Sequence, residues 1–335
     1  MTPSPDAAFA RSPALPPRPT TTPIVATLFS LVFALAYANY LTNLPLDAFQ
    51  DRLNYFVYAS SSEAILNRYA SSNLSLLSNE PLWIYLNIFL GNFLYRDDIV
   101  KTIIFVPAFL TAFLSLRNNS NSLFWVIIML LVPQVIKNNI IHLRQGVAVA
   151  VFLAGYYSDR RILKILLMGM APLIHSSFFI ILMIWGITYA TGIIRLSVPL
   201  RVIFFTACYA IVAVVLLVVA SSLGARQALM YESIDPNVSG FGFAFWSVVL
   251  ILFLSAGTDF VRRFAFPISI LTFYLVTYFA VPFAARVLES GLLIILGAGL
   301  ALNDERKLLF LTLLTGFTVL SYVERLGQPW LGWGV

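Results

Sequence analysis

Two arginines and one histidine stand where a run of apolar sequence gives them no ordinary place. Arg144 and Gln145 open an apolar stretch that runs to Tyr157. A helix N-terminus already carries positive potential, so a guanidinium there makes better sense beside an anion. Helix N-terminal amides and an arginine fork together form a phosphate site. The alternative is an arginine that lays its stem along apolar surface and keeps its head at the interface. His175 follows Pro172 and precedes Ser176 and Ser177, inside a long apolar block. A neutral imidazole both donates and accepts, so it could orient a hydroxyl or move a proton. Equally, it could hydrogen-bond a neighbouring helix. Arg286 has apolar blocks on both sides and Glu289 three residues on. That pair is either a helical salt bridge or the sign of a second cation for a charged headgroup.

Asp51, Tyr55 and Glu80 are the acidic and aromatic candidates outside these blocks. Glu80-Pro81 suits a helix start, because proline is tolerated in the first turn and a carboxylate is favourable there. Asp51 suits a cap or a first-turn acid. Tyr231-Glu232-Ser233-Ile234-Asp235 adds two carboxylates with the character of solvated loop residues. The chain has two histidines, with no carboxylate near either in sequence, and a single Cys208. No metal site and no disulfide framework are expected, and no cofactor is implied.

The elements that position these residues follow from composition. Of 335 residues, 60% are hydrophobic and 11% are charged. An ordinary soluble domain has roughly 45–50% and about 25%. Too few charges remain to cover a soluble surface, so a soluble enzyme, a disordered chain and a nucleic-acid binder are excluded. The apolar residues run in blocks and do not alternate, which argues against an outer-membrane barrel. The expected fold class is all-α, a polytopic membrane bundle of about 11 transmembrane segments.

The first 23 residues hold seven prolines and predict a disordered cytoplasmic tail. Ile24 to Tyr40 is the first apolar block, and Arg11 and Arg18 before it favour a cytoplasmic N-terminus. Ala36-Tyr37-Ala38 has the form of a signal-peptidase site, but an uncleaved span is the plainer reading. Residues 42–80 form the longest polar interval, expected to be external. Within it Leu53, Phe56, Val57, Ile65 and Leu66 fall near one helical face, which suits an interfacial amphipathic helix. Apolar blocks follow at 81–95, 99–116, 122–136, 143–157, 162–190, 199–220, 240–256, 262–282, 286–302 and 306–322. Several are short, and the 29-residue block 162–190 contains Pro172. Short and broken helices at membrane depth point to a polar site inside the bundle.

The single transmembrane domain is expected over 24–322, with an external loop at 221–240 and a tail at 323–335. Trp330 and Trp333 in that tail look like interfacial anchors. Arg160, Arg161 and Lys164 look cytoplasmic, yet simple alternation of the blocks puts 158–164 outside. Either a short block is re-entrant or this loop breaks the positive-inside rule. The formal charge of +6 reads as cytoplasmic loop bias.

These residues, in this order, resemble the EpsG family: Asp51-x-x-x-Tyr55, Glu80-Pro81 opening a helix, Arg144-Gln145-Gly146 opening another, His175-Ser176-Ser177, and the late Arg286. Arg-Gln followed some thirty residues later by His-x-Ser is the most specific part. The likeness spans about residues 45–290. This chain departs in having one span, not two, before Asp51, and in lacking a Gly-Thr pair there.

The resemblance implies a bacterial inner-membrane protein of exopolysaccharide and O-antigen clusters, related to Wzy-type polymerases, with a GT-C-like bundle. Its substrate would be an undecaprenyl-pyrophosphate-linked glycan at the outer face of the bilayer, with a separate chain-length regulator as partner and no nucleic acid. Arg144, Gln145 and Arg286 would then hold pyrophosphate. His175, Glu80 or Asp51 would act on the acceptor hydroxyl, and Tyr55 and Ser176 would contact sugar. Three rivals use similar residues. A secondary transporter would use intramembrane charges, but no internal repeat is visible. A membrane acyltransferase would use His175 but leave both arginines idle. A single-addition GT-C-type glycosyltransferase is separated poorly by sequence, since Asp47 and Asp51 could form its acidic pair.

Overall fold

A computed structural model describes residues 24–69, 76–77, 79–194, 196–222, 240–281 and 283–334. The expected N-terminal tail and most of the 221–240 loop lie outside the described residues. Those described form fifteen α-helices and no strand, apart from one isolated bridge. Three helices are long and apolar enough to cross a bilayer: α1 (Ile24–Thr42), α4 (Arg96–Asn118) and α15 (Asp304–Val323). A fourth candidate is the broken pair α5 (Leu123–Leu130) and α6 (Pro133–Ile140), bent by 72°. The break falls where it must, because Pro133 pushes Val132 into an extended conformation. Shorter apolar helices include α3 (Pro81–Gly91), α7 (Leu143–Tyr156) and α9 (Ser177–Ile193). This is the architecture of a membrane protein.

The described residues cluster in two compact units. The first contains 24–178 and the segment from Thr315 onward. Here α1 packs on α4, and α4 packs on α7. α2 (Arg52–Tyr69), kinked at Ser61, packs on α3 and α4, while α8 (Arg161–Ile174) packs on α7 and α3. On α2 the buried stripe is Arg52, Tyr55, Tyr58 and Ser62. Leu53 and Val57, on the apolar face expected from sequence, point outward and remain exposed. The helix therefore docks through aromatic and polar groups, and its outward face mixes Leu53 and Val57 with Asn54, Glu63, Asn67 and Arg68.

α6 and α7 approach more closely than any side chain at Gly146 would permit. A Cβ there would overlap the carbonyl oxygen of Asn138. The glycine after Arg144-Gln145 thus lets the start of α7 sit against the end of α6, which sets where Arg144 begins. The sequence block 162–190 is two helices, α8 and α9. His175 is extended between them, at φ −148° and ψ 125°.

Trp333 corrects the expectation of an interfacial anchor. Its side chain is buried, its ring packs 6.3 Å from that of Tyr322, and its carbonyl accepts from Gln50 N–H at 3.1 Å. Phe49 and Gly334 form the isolated bridge. The C-terminal tail is stitched to the segment just before α2 and lies at the same end of this unit. Trp330 is half exposed, and its ring lies tilted against that of Phe49 at 5.3 Å.

The second unit, 179–314, holds most of α9 and the start of α15 together with α10 (Val198–Ser222), α11 (Phe241–Leu254), α12 (Thr258–Arg263), α13 (Ala265–Thr277) and α14 (Ala284–Gly299). α13 is buried along most of its length and packs against α10, α11 and α14. Its Ser269 hydroxyl shares a 2.7 Å hydrogen bond with Tyr209 of α10.

Candidate active site

Three residues from three separate helix ends of the first unit meet at one carboxylate. Glu80 caps α3, but its side chain makes no capping bond. Its backbone is left-handed, with φ 60° and ψ 58°, a conformation disfavoured for a non-glycine residue. Strain of this kind persists only where the surroundings hold it. Here they do: Glu80 Oε2 accepts from Arg144 Nη1 at 2.5 Å. Oε1 accepts from the Ser176 N–H at 3.1 Å and lies 2.8 Å from His175 Nδ1. The sequence reading of Glu80 as a first-turn acid is therefore replaced by a buried hub.

The electrostatics follow from this geometry. Burial works against ionisation of Glu80, but Arg144, His175 and the Ser176 amide outweigh it and hold the carboxyl well below the usual range. An ionised carboxylate only accepts, so His175 Nδ1 must carry the proton that points at it. Nε2 is then the basic ring nitrogen of neutral His175. Glu80 and His175 are both buried, and the Arg144 side chain is 24% exposed. Arg144 is the least buried of the three.

Aromatic groups fix that guanidinium. Its Cζ lies 5.6 Å from the Tyr58 ring centroid. Tyr55 is buried with its hydroxyl at Arg144 and the Leu143 backbone, and burial dominates in raising its pKa. Both tyrosine rings meet Trp83 edge-on, at 5.8 and 5.9 Å. Tyr58 and Trp83 were not singled out from sequence. The signal available was the spacing Arg52, Tyr55, Tyr58, Ser62, a single helical stripe of polar and aromatic residues.

The other candidates fall elsewhere. Gln145 is buried in the first turn of α7. Asp51 is exposed and left-handed (φ 62°), and accepts from Asn54 Nδ2 at 3.4 Å. Arg286 belongs to the second unit, half exposed in the first turn of α14. Among the described residues, no group of three or more His, Cys, Asp or Glu is placed to hold a metal ion.

A buried Glu–Arg–His cluster in a helical membrane protein is compatible with several chemistries, and comparison with known proteins narrows them. No curated protein and no solved structure matches the chain. The EpsG family model matches residues 24–325, nearly its whole length, and takes in every member of the cluster. The protein therefore belongs to the EpsG family.

Proposed function

We propose that the protein is a polysaccharide polymerase that joins undecaprenyl-pyrophosphate-linked repeat units at the outer face of the bacterial inner membrane. The observation that carries this reading is the Glu80 carboxylate, buried in an EpsG-family chain and holding Arg144 and His175 together. Of the three candidate bases, His175 fits best. Glu80 is held ionised and is a weak base. Asp51 is exposed and outside the cluster.

In this scheme His175 Nε2 takes the proton of the acceptor hydroxyl as its oxygen attacks the anomeric carbon of the growing chain. The bond from that carbon to the pyrophosphate oxygen breaks, and the electron pair leaves with the phosphate. Glu80 holds the Nδ1–H tautomer and stabilises the imidazolium that forms. Arg144 keeps Glu80 in place and offers its charge to the leaving group. Ser176 and Tyr55 shape the sugar site. No metal or other cofactor enters the scheme. The whole is a GT-C-like bundle of about 11 segments in one transmembrane domain, with a chain-length regulator as partner.

The same contacts favour a topology. Arg144 opens α7 and His175 ends α8, yet both reach Glu80, so the two helices run antiparallel. Fourteen residues each place their connecting loop about 20 Å from Glu80. With Glu80 external, Arg160, Arg161 and Lys164 are cytoplasmic and obey the positive-inside rule. The bent α5–α6 pair is then a re-entrant hairpin, not a crossing. Ser158→Cys in a Cys208→Ser background should react with a membrane-impermeant thiol reagent in inverted vesicles and not in intact spheroplasts. Labelling from outside would overturn this orientation.

The test of function is purified protein in nanodiscs with lipid-pyrophosphate-linked repeat units from the native cluster. A ladder of products without any nucleotide sugar is expected, and Arg144→Ala, which removes the cation on Glu80, should leave single units unjoined. A competent substrate that yields no ladder would overturn the reading in favour of a single-addition glycosyltransferase or a transporter.

A further inference from the structure

The Glu80–Arg144 pair is near neutral, so a phosphate-bearing ligand gains little net counter-charge from it. Among the described residues of this unit, one other buried cation makes no ion pair with a carboxylate. Arg52 is the first residue of α2 and is 2% exposed. Its Nε and Nη1 are buried and meet no hydrogen-bond partner. The Phe49 ring lies 5.5 Å from its Cζ and covers the guanidinium without supplying a lone pair. The adjacent Asp51 is exposed, accepts from Asn54 and makes no ion pair with Arg52.

A second orphan donor lies on α3, the helix that packs on α2. The Trp83 indole N–H is buried without an acceptor, and the Trp83 ring meets Tyr55, one turn along α2 from Arg52. Arginine and tryptophan donate and never accept. A group that satisfied both would have to bring acceptors, and a buried guanidinium calls for negative charge. An oxyanion meets both demands. The Asn87 amide oxygen, a turn beyond Trp83, is buried without a donor and could take a hydroxyl of the same ligand. Tyr55 in turn reaches Arg144, so Arg52 lies about 5 Å along α2 from a residue of the catalytic cluster.

We propose that Arg52, with the Trp83 indole N–H, binds a phosphate oxygen of the lipid pyrophosphate, one helical turn from the residue that contacts Arg144. The identity of the anion rests on the polymerase reading; the unpartnered donors do not. Burial lowers the Arg52 pKa to about 10, and the group is still a cation at neutral pH.

The test uses full-length protein in phosphatidylcholine nanodiscs, with inorganic pyrophosphate and undecaprenyl pyrophosphate as probes and phosphatidylglycerol nanodiscs as a third arm. Wild type should gain thermal stability with either pyrophosphate. Arg52→Met without ligand should be at least as heat-stable as wild type, because a buried unpaired charge is gone. Its pyrophosphate affinity should fall by about tenfold or more, and Arg52→Lys should recover part of it. In the polymer assay the KM for lipid-linked substrate should rise by a similar factor, with kcat less affected.

Wild-type pyrophosphate affinity in Arg52→Met would overturn the proposal. So would loss of the unliganded fold in both Arg52→Met and Arg52→Gln, which would make Arg52 structural. Dependence on phosphatidylglycerol and not on pyrophosphate would make this a lipid-headgroup site and overturn the substrate assignment. Pyrophosphate binding through Arg52 without any product ladder would leave the site standing and remove the polymerase reading.

Discussion

Glu80→Gln should abolish visible polymer, a loss on the order of 10²–10⁴-fold, while the protein still inserts and folds. The substitution keeps the shape of the side chain and removes one acceptor. Glu80 now receives Arg144 on one oxygen, and His175 with the Ser176 amide on the other. A carboxamide oxygen can serve only one of these sides, and its NH₂ must then face a donor. If the amide faces His175, the imidazole loses the partner that fixes its tautomer. If it faces Arg144, a partly buried guanidinium loses its counter-ion. Glu80→Ala removes both and should cost about 3 kcal/mol of stability, at the lower end for a broken buried pair because Arg144 is partly exposed.

Acid should report the same residue. The folded carboxyl titrates below the unfolded one, so its ionisation contributes stability above the ordinary glutamate range, about pH 4. That contribution is lost as pH falls through the depressed folded value. Melting of the wild type between pH 7 and pH 3 should therefore show an acid-sensitive component that Glu80→Gln lacks. Polymer output from Glu80→Gln within threefold of wild type would remove the hub from the mechanism.

The members of this cluster were legible one at a time and their meeting was not. Arg144 at a helix start called for an anion, and an anion is there, but it is a carboxylate 64 residues away and not a ligand phosphate. His175 had no acid near it in sequence because its partner is 95 residues distant. Glu80 looked sufficient as a first-turn acid, and only its left-handed backbone and its missing cap bond show otherwise. The apolar pattern exposed the broken helices, since Pro172 and the short blocks marked places where backbone groups need other partners. It could not expose the C-terminal stitch, because pairing Gln50 with Gly334 spans 284 residues and leaves no periodic signal. Trp333 was thus placed at the interface from its residue type, when packing against Tyr322 buries it.

His175→Asn separates holding a place from moving a proton. The Asn amide nitrogen can stand where Nδ1 stands and still donate to Glu80 Oε1. It has no basic atom where Nε2 was. With the contact to Glu80 preserved, the Arg144 pair and the fold should persist, and thermal stability should stay within about 1 kcal/mol of wild type. Polymer formation should fall on the order of 10²–10⁴-fold if His175 is the base. The residual rate should also rise with pH, because solvent hydroxide then takes the proton that Nε2 took. His175→Gln should be no better: it reaches toward Nε2 but gives up the donor to Glu80, so position and proton transfer fail together. The informative comparison is Asn against wild type at matched expression, with lipid-linked single units quantified beside the ladder. Accumulated single units with intact binding of the lipid-linked donor would assign the loss to the chemical step. Near-normal polymer from His175→Asn would make His175 a positioning residue, and the search for the base would move to groups that approach only when the acceptor is bound.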